Sequence, residues 1–543
     1  MKQLDRTRLI FFAVVGLAVL IAGCGVAYSM ISRLLTQANA TPTPATALQP
    51  SGKTAQPVDL SSPEPIYASG YQPGSDDLPT YVCGADAFGS YFVLQQMQVS
   101  GKDVAHGFHL GIVPFALDGD SAYDVSEEQR TALLNAGNWD CLLTTLDSVS
   151  LSSAGIITAI VDESAGADQL WVRGVPTIND LKGKRIAFSR GSVGEYFVYY
   201  ALSIARLNPR FDVTLVPKDS VAEAVEAFNQ GQADAVSGWE PDIYEAQTGG
   251  GTALLSSGEM RIVMDVLVTS RQAIGNRPDQ VQAFHDAWFD TLKAQVEDFN
   301  GAARQVAEWG HNDWSFVYPD SAGDDLRSWL QNVAQADLGD NAFVMRDPTP
   351  IINRLEIARR VWAATGALVP NDNASDLINP SFVANSASQA GLKANGNPIN
   401  DSFSLTAQVE LAGIDPEDAV TLAVLPCRRF AFLPESTTLT LESRRILDEC
   451  VLPTLSQSVG LYLQVTGSSA WPGPAGTYTE QEILDFAEAR AQSVVDYLAS
   501  QGIDPARFIV QATLPPLDHR ETEDAEKQAE DRYVEMTLIT VGR

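Results

Sequence analysis

Positive charge is what this chain is shortest of. Its 543 residues carry 36 lysines and arginines against 68 aspartates and glutamates, a formal net charge of −32. A surface of that sign repels a phosphate backbone, which excludes nucleic acid as a partner. Histidine and cysteine are sparse as well, with five of each. Their spacings match no zinc motif, no histidine is paired with a placed cysteine or serine, and there is no nucleophile elbow. The expectation is therefore no metal, no cofactor and no enzyme, although clustered carboxylates keep acid–base chemistry open as a rival. Long hydrophobic runs are missing with one exception, the uncharged stretch from Leu9 to Ser32.

That run is long enough to span a bilayer at about 1.5 Å per residue. Lys2, Arg6 and Arg8 precede it, which places the body outside the cytoplasm. A second reading stays open. Ile21-Ala22-Gly23-Cys24 resembles the lipobox of bacterial lipoproteins, which would make Cys24 a lipidation site, while the apolar residues Val26, Ala27, Tyr28, Met30 and Ile31 suit an uncleaved helix. Both readings make residues 1–35 a membrane anchor and the protein extracytoplasmic or periplasmic. Residues 36–77 are rich in Thr, Pro, Ala, Ser and Gln without apolar periodicity, which predicts a linker. Of the remaining cysteines, Cys83 with Cys141 and Cys427 with Cys450 each share an expected domain, and disulfides or buried free thiols both fit.

From Leu78 the chain alternates short apolar runs with helical patterns. Thr80 to Cys83, Phe108 to Phe115 and Cys141 to Thr144 predict strands of a mostly parallel sheet; after a crossover, Ile156 to Val161, Gln169 to Arg173, Arg185 to Ser189 and Val213 to Pro217 predict the strands of a second α/β unit. Val263 to Thr269 is expected to return the chain to the first lobe, and helices are expected at Pro278 to Lys293, Gly301 to Gly310, Asp324 to Ala336 and Pro350 to Thr365. Two such lobes face each other across a cleft, with ligands beyond the carboxyl ends of strands. This makes Asp86, Ser90, Thr145 and Asp147 candidate ligand contacts, with Asp162 and Asp168 at further loop edges. Gly191, Ser192 and Val193 form a turn at a helix start, where free N–H groups suit an anionic group. Trp239 and Glu240 present an aromatic face and a carboxylate, which suit a cationic or amino-bearing one.

The set Asn138-Trp139-Asp140, Asp180-Leu181-Lys182-Gly183-Lys184, Gly191-Ser192, Gly231-Gln232-Ala233-Asp234-Ala235 and Trp239-Glu240-Pro241 resembles periplasmic substrate-binding proteins of ABC importers, in the group that binds nitrate, sulfonates and taurine. The resemblance covers residues 78–385. It implies a two-lobed α/β periplasmic-binding-protein fold, type II-like, which captures a small anionic or zwitterionic solute by hinge closure and passes it to an ABC permease.

Residues 386–408 predict a second linker, and residues 409–543 an α+β sandwich. Ala489-Arg490-Ala491-Gln492-Ser493-Val494-Val495-Asp496-Tyr497-Leu498, then Gly502-Ile503 and Asp531-Arg532-Tyr533-Val534-Glu535, resemble the OmpA-like domain that binds peptidoglycan. Arg490 falls on the arginine that grips the wall peptide in that family. The partner aspartate falls at about Ala470, so half of the grip is missing. An alternative to the receptor is thus an envelope tether whose solute-binding fold is a spacer or sensor.

Overall fold

The computed structural model describes residues 61–115, 125–309, 316–392, 419–457 and 461–540. The expected anchor with Cys24, the first part of the 36–77 linker and most of the 386–408 linker lie outside them.

Apolar runs of five to nine residues bounded by glycines and polar turns form the first lobe's strands: β1 (Thr80–Ala85), β2 (His109–Pro114), β3 (Cys141–Thr145) and β4 (Ile156–Ser164). Every residue of β2 and β4 is buried, as a strand covered on both faces requires. The second lobe contributes β5 (Asp168–Val172), β6 (Arg185–Ser189), β7 (Thr214–Lys218), β8 (Ala235–Trp239) and β9 (Thr252–Ser256). The chain then returns as β10 (Met264–Thr269) and later adds the edge strand β11 (Val333–Gln335).

The first sheet runs β11-β4-β10-β3-β1-β2 and the second β7-β6-β8-β5-β9; β4, expected in the second unit, belongs to the first, where it pairs with β10 before the chain crosses over. Each is mixed rather than mostly parallel. β1 lies parallel to β2 and β3, whereas β10 lies antiparallel to β3 and β4; in the second sheet β5 is antiparallel to both neighbours. β5 and β10 each enter their sheet directly from the opposite lobe, so neither makes the crossover that would reverse it. A second difference concerns Asp324 to Ala336, expected as one helix. The helix is Ala322–Leu330, and Val333–Gln335 leaves it to pair with β4.

Two crossovers join the lobes, through Ser164 to Asp168 and Met260 to Met264. They are tied together: the Ser164 N–H donates to the Val263 carbonyl at 3.0 Å, and the Ser164 and Ser257 hydroxyls meet at 2.7 Å. Beside them Glu163, fully buried, receives Arg261 at 3.2 Å and Arg354 at 2.7 Å.

The stretch expected as linker packs on the first lobe from its described start. Ile66 bridges to Ile112, Trp139 Nε1 donates to the Ser62 hydroxyl at 3.0 Å, and Tyr71 stacks on His109. Cys83 and Cys141 form a disulfide between paired residues of β1 and β3, and Cys427 is bonded to Cys450.

The C-terminal region forms a third sheet, β12 (Val420–Ala431), β13 (Tyr462–Ser468), β14 (Phe508–Thr513) and β15 (Tyr533–Thr540), in the order β12-β15-β13-β14. The 21-residue helix Glu480–Ser500 opens on a capping box of Thr479 and Glu482 and lies on this sheet. It comes so close at Gly467 that any Cβ there would strike the Ala487 carbonyl. This region is not a body on a string. Leu422, Leu425, Phe430 and Leu463 share one apolar core with Val175, Ile178, Tyr200 and Trp362. Asn179 pairs with the β12 backbone, donating to the Val424 carbonyl at 2.9 Å and accepting its N–H at 2.7 Å. Arg206 donates to the Glu449 carbonyl at 3.0 Å, and the Thr540 hydroxyl to Glu259 at 2.7 Å.

Candidate functional site

The two lobes enclose a chamber of about 550 Å³, within the range of small-molecule sites. Its walls come from strand ends. Asp86 lies in the turn after β1, and Thr145 closes β3. Asp168 opens β5 directly opposite Trp239, which closes β8, and Glu240 follows. Asp265 sits in β10, paired with Thr145 on one side and Asp162 on the other. Phe88, Tyr91, Phe115, Phe316 and Trp329 add aromatic surface, and Phe316 stacks on Trp329 with centroids 5.8 Å apart.

Gly191, Ser192 and Val193 also line the chamber. Gly191 adopts φ 68°, the left-handed region that favours glycine. The Ser192 hydroxyl donates to the Ser189 carbonyl at 2.7 Å and accepts the Gly194 N–H at 3.2 Å, capping the helix Val193–Ile204. The turn already holds an anion of its own: the Gly191 N–H donates to Glu195 Oε2 at 2.7 Å, and Tyr199 holds the other oxygen at 2.6 Å.

Three expected contacts lie off the chamber, Asp162 among them: expected at a loop edge, it is buried inside β4. Ser90 is fully buried beside Asp162. Asp147 is buried in the first turn of the helix Leu146–Ser152, where loss of water pushes its pKa up to about 7. Asp265, Tyr91, Arg130, Phe115, Phe316 and Trp329 line the chamber without having been singled out from the sequence. Asp265 carried a signal, being a lone charge in an apolar run that predicts a buried strand.

The chamber's electrostatics are one-sided. Asp86, Asp168, Glu240, Asp242 and Asp265 line it, and among the described lining residues the one cation is Arg130. Arg130 is engaged elsewhere, donating to Glu127 at 2.6 Å with its guanidinium 4.6 Å from the Phe115 ring centroid. Burial, reinforced by Glu240, pushes Asp168 up to about 7. Burial also raises Asp162 to about 7. Asp265 is driven well above the carboxylate range by burial, then by Asp162, Asp168 and Asp86. Glu240 Oε2 accepts from Asn332 at 2.7 Å and Tyr244 at 2.8 Å, while its Oε1 is buried without a hydrogen-bond partner. Asp168 Oδ1 and Asp265 Oδ1 are in the same state. Among the described residues no three His, Cys, Asp or Glu side chains converge to hold a metal ion.

Residues 160–298 match the NMT1/THI5-like family model. That segment holds the hinge, the second lobe and the return strand β10. A curated Escherichia coli (strain K12) relative, named for binding aliphatic sulfonates, is 32% identical over 128 residues. The match covers 20% of this chain and 40% of that relative's length, so the chain spans well under half of the curated protein it matches. Among solved structures, the periplasmic aliphatic sulphonate binding protein SsuA from Escherichia coli is similar at 17% identity and TM-score 0.44, over 56% of this chain and 93% of its own. The periplasmic nitrate-binding protein NrtA from Synechocystis PCC 6803 is similar at 11% identity and TM-score 0.43, over 60% and 92%. The desulfurization enzyme DSZB is similar at 17% identity and TM-score 0.38, over 57% and 99%.

In the C-terminal domain Arg490 is buried, and its guanidinium is engaged by the chain itself. It donates to the carbonyls of Ser468 at 2.9 Å and Ser436 at 3.0 Å and lies against the rings of Phe432 and Phe486. Ala470, where a wall-binding aspartate was expected, is buried beside Trp471. Among the described residues no helix is long and apolar enough to cross a membrane; the candidate anchor lies outside them.

Proposed function

We propose that this chain is an extracytoplasmic solute-binding receptor that holds one small molecule between its lobes and delivers it to an ABC permease. The observation that carries this reading is the chamber itself, bounded by both lobes and backed by a tied double crossover, so that hinge motion opens and closes it. The NMT1/THI5-like match and the sulfonate-binding name of the curated relative support it, and they favour a small anionic or zwitterionic solute. The reading is of a binder rather than an enzyme. The N-terminal run, as helix or as lipidated Cys24, would hold the receptor to the membrane, with the C-terminal domain, OmpA-like in sequence, facing the cell envelope.

The tether alternative has one observation in its favour, the C-terminal domain's continuous core with the second lobe. It leaves the buried, unpartnered carboxylate oxygens of the chamber without a purpose, and a spacer gains nothing from keeping them. Arg490 gives that reading no wall contact, since its donors point to the chain's own carbonyls.

The test is thermal unfolding of the full chain against a broad panel of anions, zwitterions, amino acids, betaines and polyamines. A ligand at about 100 times its dissociation constant adds roughly 2.7 kcal/mol, enough to raise the midpoint by degrees. A midpoint that no small solute moves would overturn the receptor and bring the tether forward.

A further inference from the structure

Within the receptor reading, on which this inference rests, we propose that the chamber selects a guest bearing an organic cationic nitrogen, held by Asp168, Asp265 and Glu240, and rejects guests that are anionic only. Three observations converge. Each of these side chains is more than nine-tenths buried, each belongs to a residue that lines the chamber, and each has one buried oxygen with no hydrogen-bond partner. A buried carboxylate oxygen without a donor is costly, and an ammonium or guanidinium group supplies the missing donors together with the opposite charge.

The second observation is that two groups an anion would use are already engaged. The Gly191 N–H is taken by Glu195, and the one lining cation, Arg130, is paired with Glu127. The third is the aromatic lining. Trp239, next to Glu240 and opposite Asp168, presents the kind of face on which cationic nitrogen is stabilised. Asp168 and Glu240 belong to the second lobe and Asp265 to the first, and among the described residues no three such side chains converge to hold a metal ion. That dispersal suits an extended organic cation.

A competing arrangement has protonated Asp168 and Asp265 donating to an anion, and matched probes separate the two. Titration calorimetry of the full chain would use putrescine, choline, taurine and ethanesulfonate. Taurine and ethanesulfonate differ by a single ammonium group. The expected result is binding of at least one nitrogen-bearing probe and none of ethanesulfonate. Asp168→Asn and Asp265→Asn should each weaken that binding tenfold or more. These neutral variants should unfold at or above the parent's midpoint when unliganded, so lost affinity is not lost fold; Glu240→Gln serves as a third variant. Ethanesulfonate binding as tightly as taurine, affinity for the cationic probe surviving all three substitutions, or none of the four probes binding would each overturn the cationic assignment. The receptor itself fails only if the broad panel also yields no ligand.

Discussion

Glu163 shows how much one side chain at the hinge carries. It lies on β4, fully buried, and neutralises both Arg261 and Arg354 where the chain leaves the first lobe. Removing one member of a buried ion group strands the others, which typically costs 3–5 kcal/mol. Glu163→Ala should lower stability by about that amount in denaturant unfolding, whereas a change of an exposed pair such as Lys293 with Glu297 should stay below about 1 kcal/mol. Asp162 acts in the opposite sense. Burial holds it at about 7, far above the roughly 3.9 of an unfolded aspartate. From about pH 4 to about pH 7 the folded state therefore keeps a proton that the unfolded chain has lost, so this group's contribution falls as pH rises and levels off above about 7. Asp162→Asn should gain on the parent between about pH 5 and about pH 8, read from unfolding midpoints at the two values.

At the scale of elements, the strands were legible because short apolar runs ended at glycines or polar turns, as at Arg185–Ser189 before Gly191. Strand direction was not. The run Met264–Thr269 predicts a buried strand, but whether it enters parallel or antiparallel depends on which lobe it comes from. The helix expected through Ala336 ends at Leu330, just before Asn332, whose amide reaches Glu240 and Tyr244 in the other lobe, a tertiary demand invisible to local periodicity. At Gly191 the turn was readable from its glycines. Its occupant was not, because Glu195 at helical spacing reads equally as a first-turn residue favoured by the dipole. The bond between β1 and β3 closes a separation of 58 residues, which in the chain-entropy account is worth about 4 kcal/mol. Reduction, or Cys83→Ser with Cys141→Ser, should lower stability by up to that amount, measured by denaturant titration with and without reductant.

For the whole molecule, the C-terminal domain was legible as a unit and illegible as a neighbour. Leu422, Leu425 and Phe430 look like the core residues of any small sheet, and nothing in their spacing says that some of that core belongs to the second lobe. Ending the chain after Leu392 would strip from the second lobe its share of a common core, beginning where β12 packs on the segment Ile178–Leu181. The shortened protein should unfold at a lower midpoint than the full chain and self-associate, as light scattering would show. Asn179→Ala is the milder probe. It removes two hydrogen bonds to β12 and should cost about 1–3 kcal/mol without altering the chamber.

The same docking makes the molecule a lever. The domain's hydrogen bonds through Asn179, Arg206 and Glu259 all reach the second lobe, so the domain turns with that lobe. A rotation of a few degrees about Ser164 and Val263 is magnified at the far edge of the third sheet. Two dyes, one there and one on the first lobe, would turn occupancy of the chamber into a readable distance.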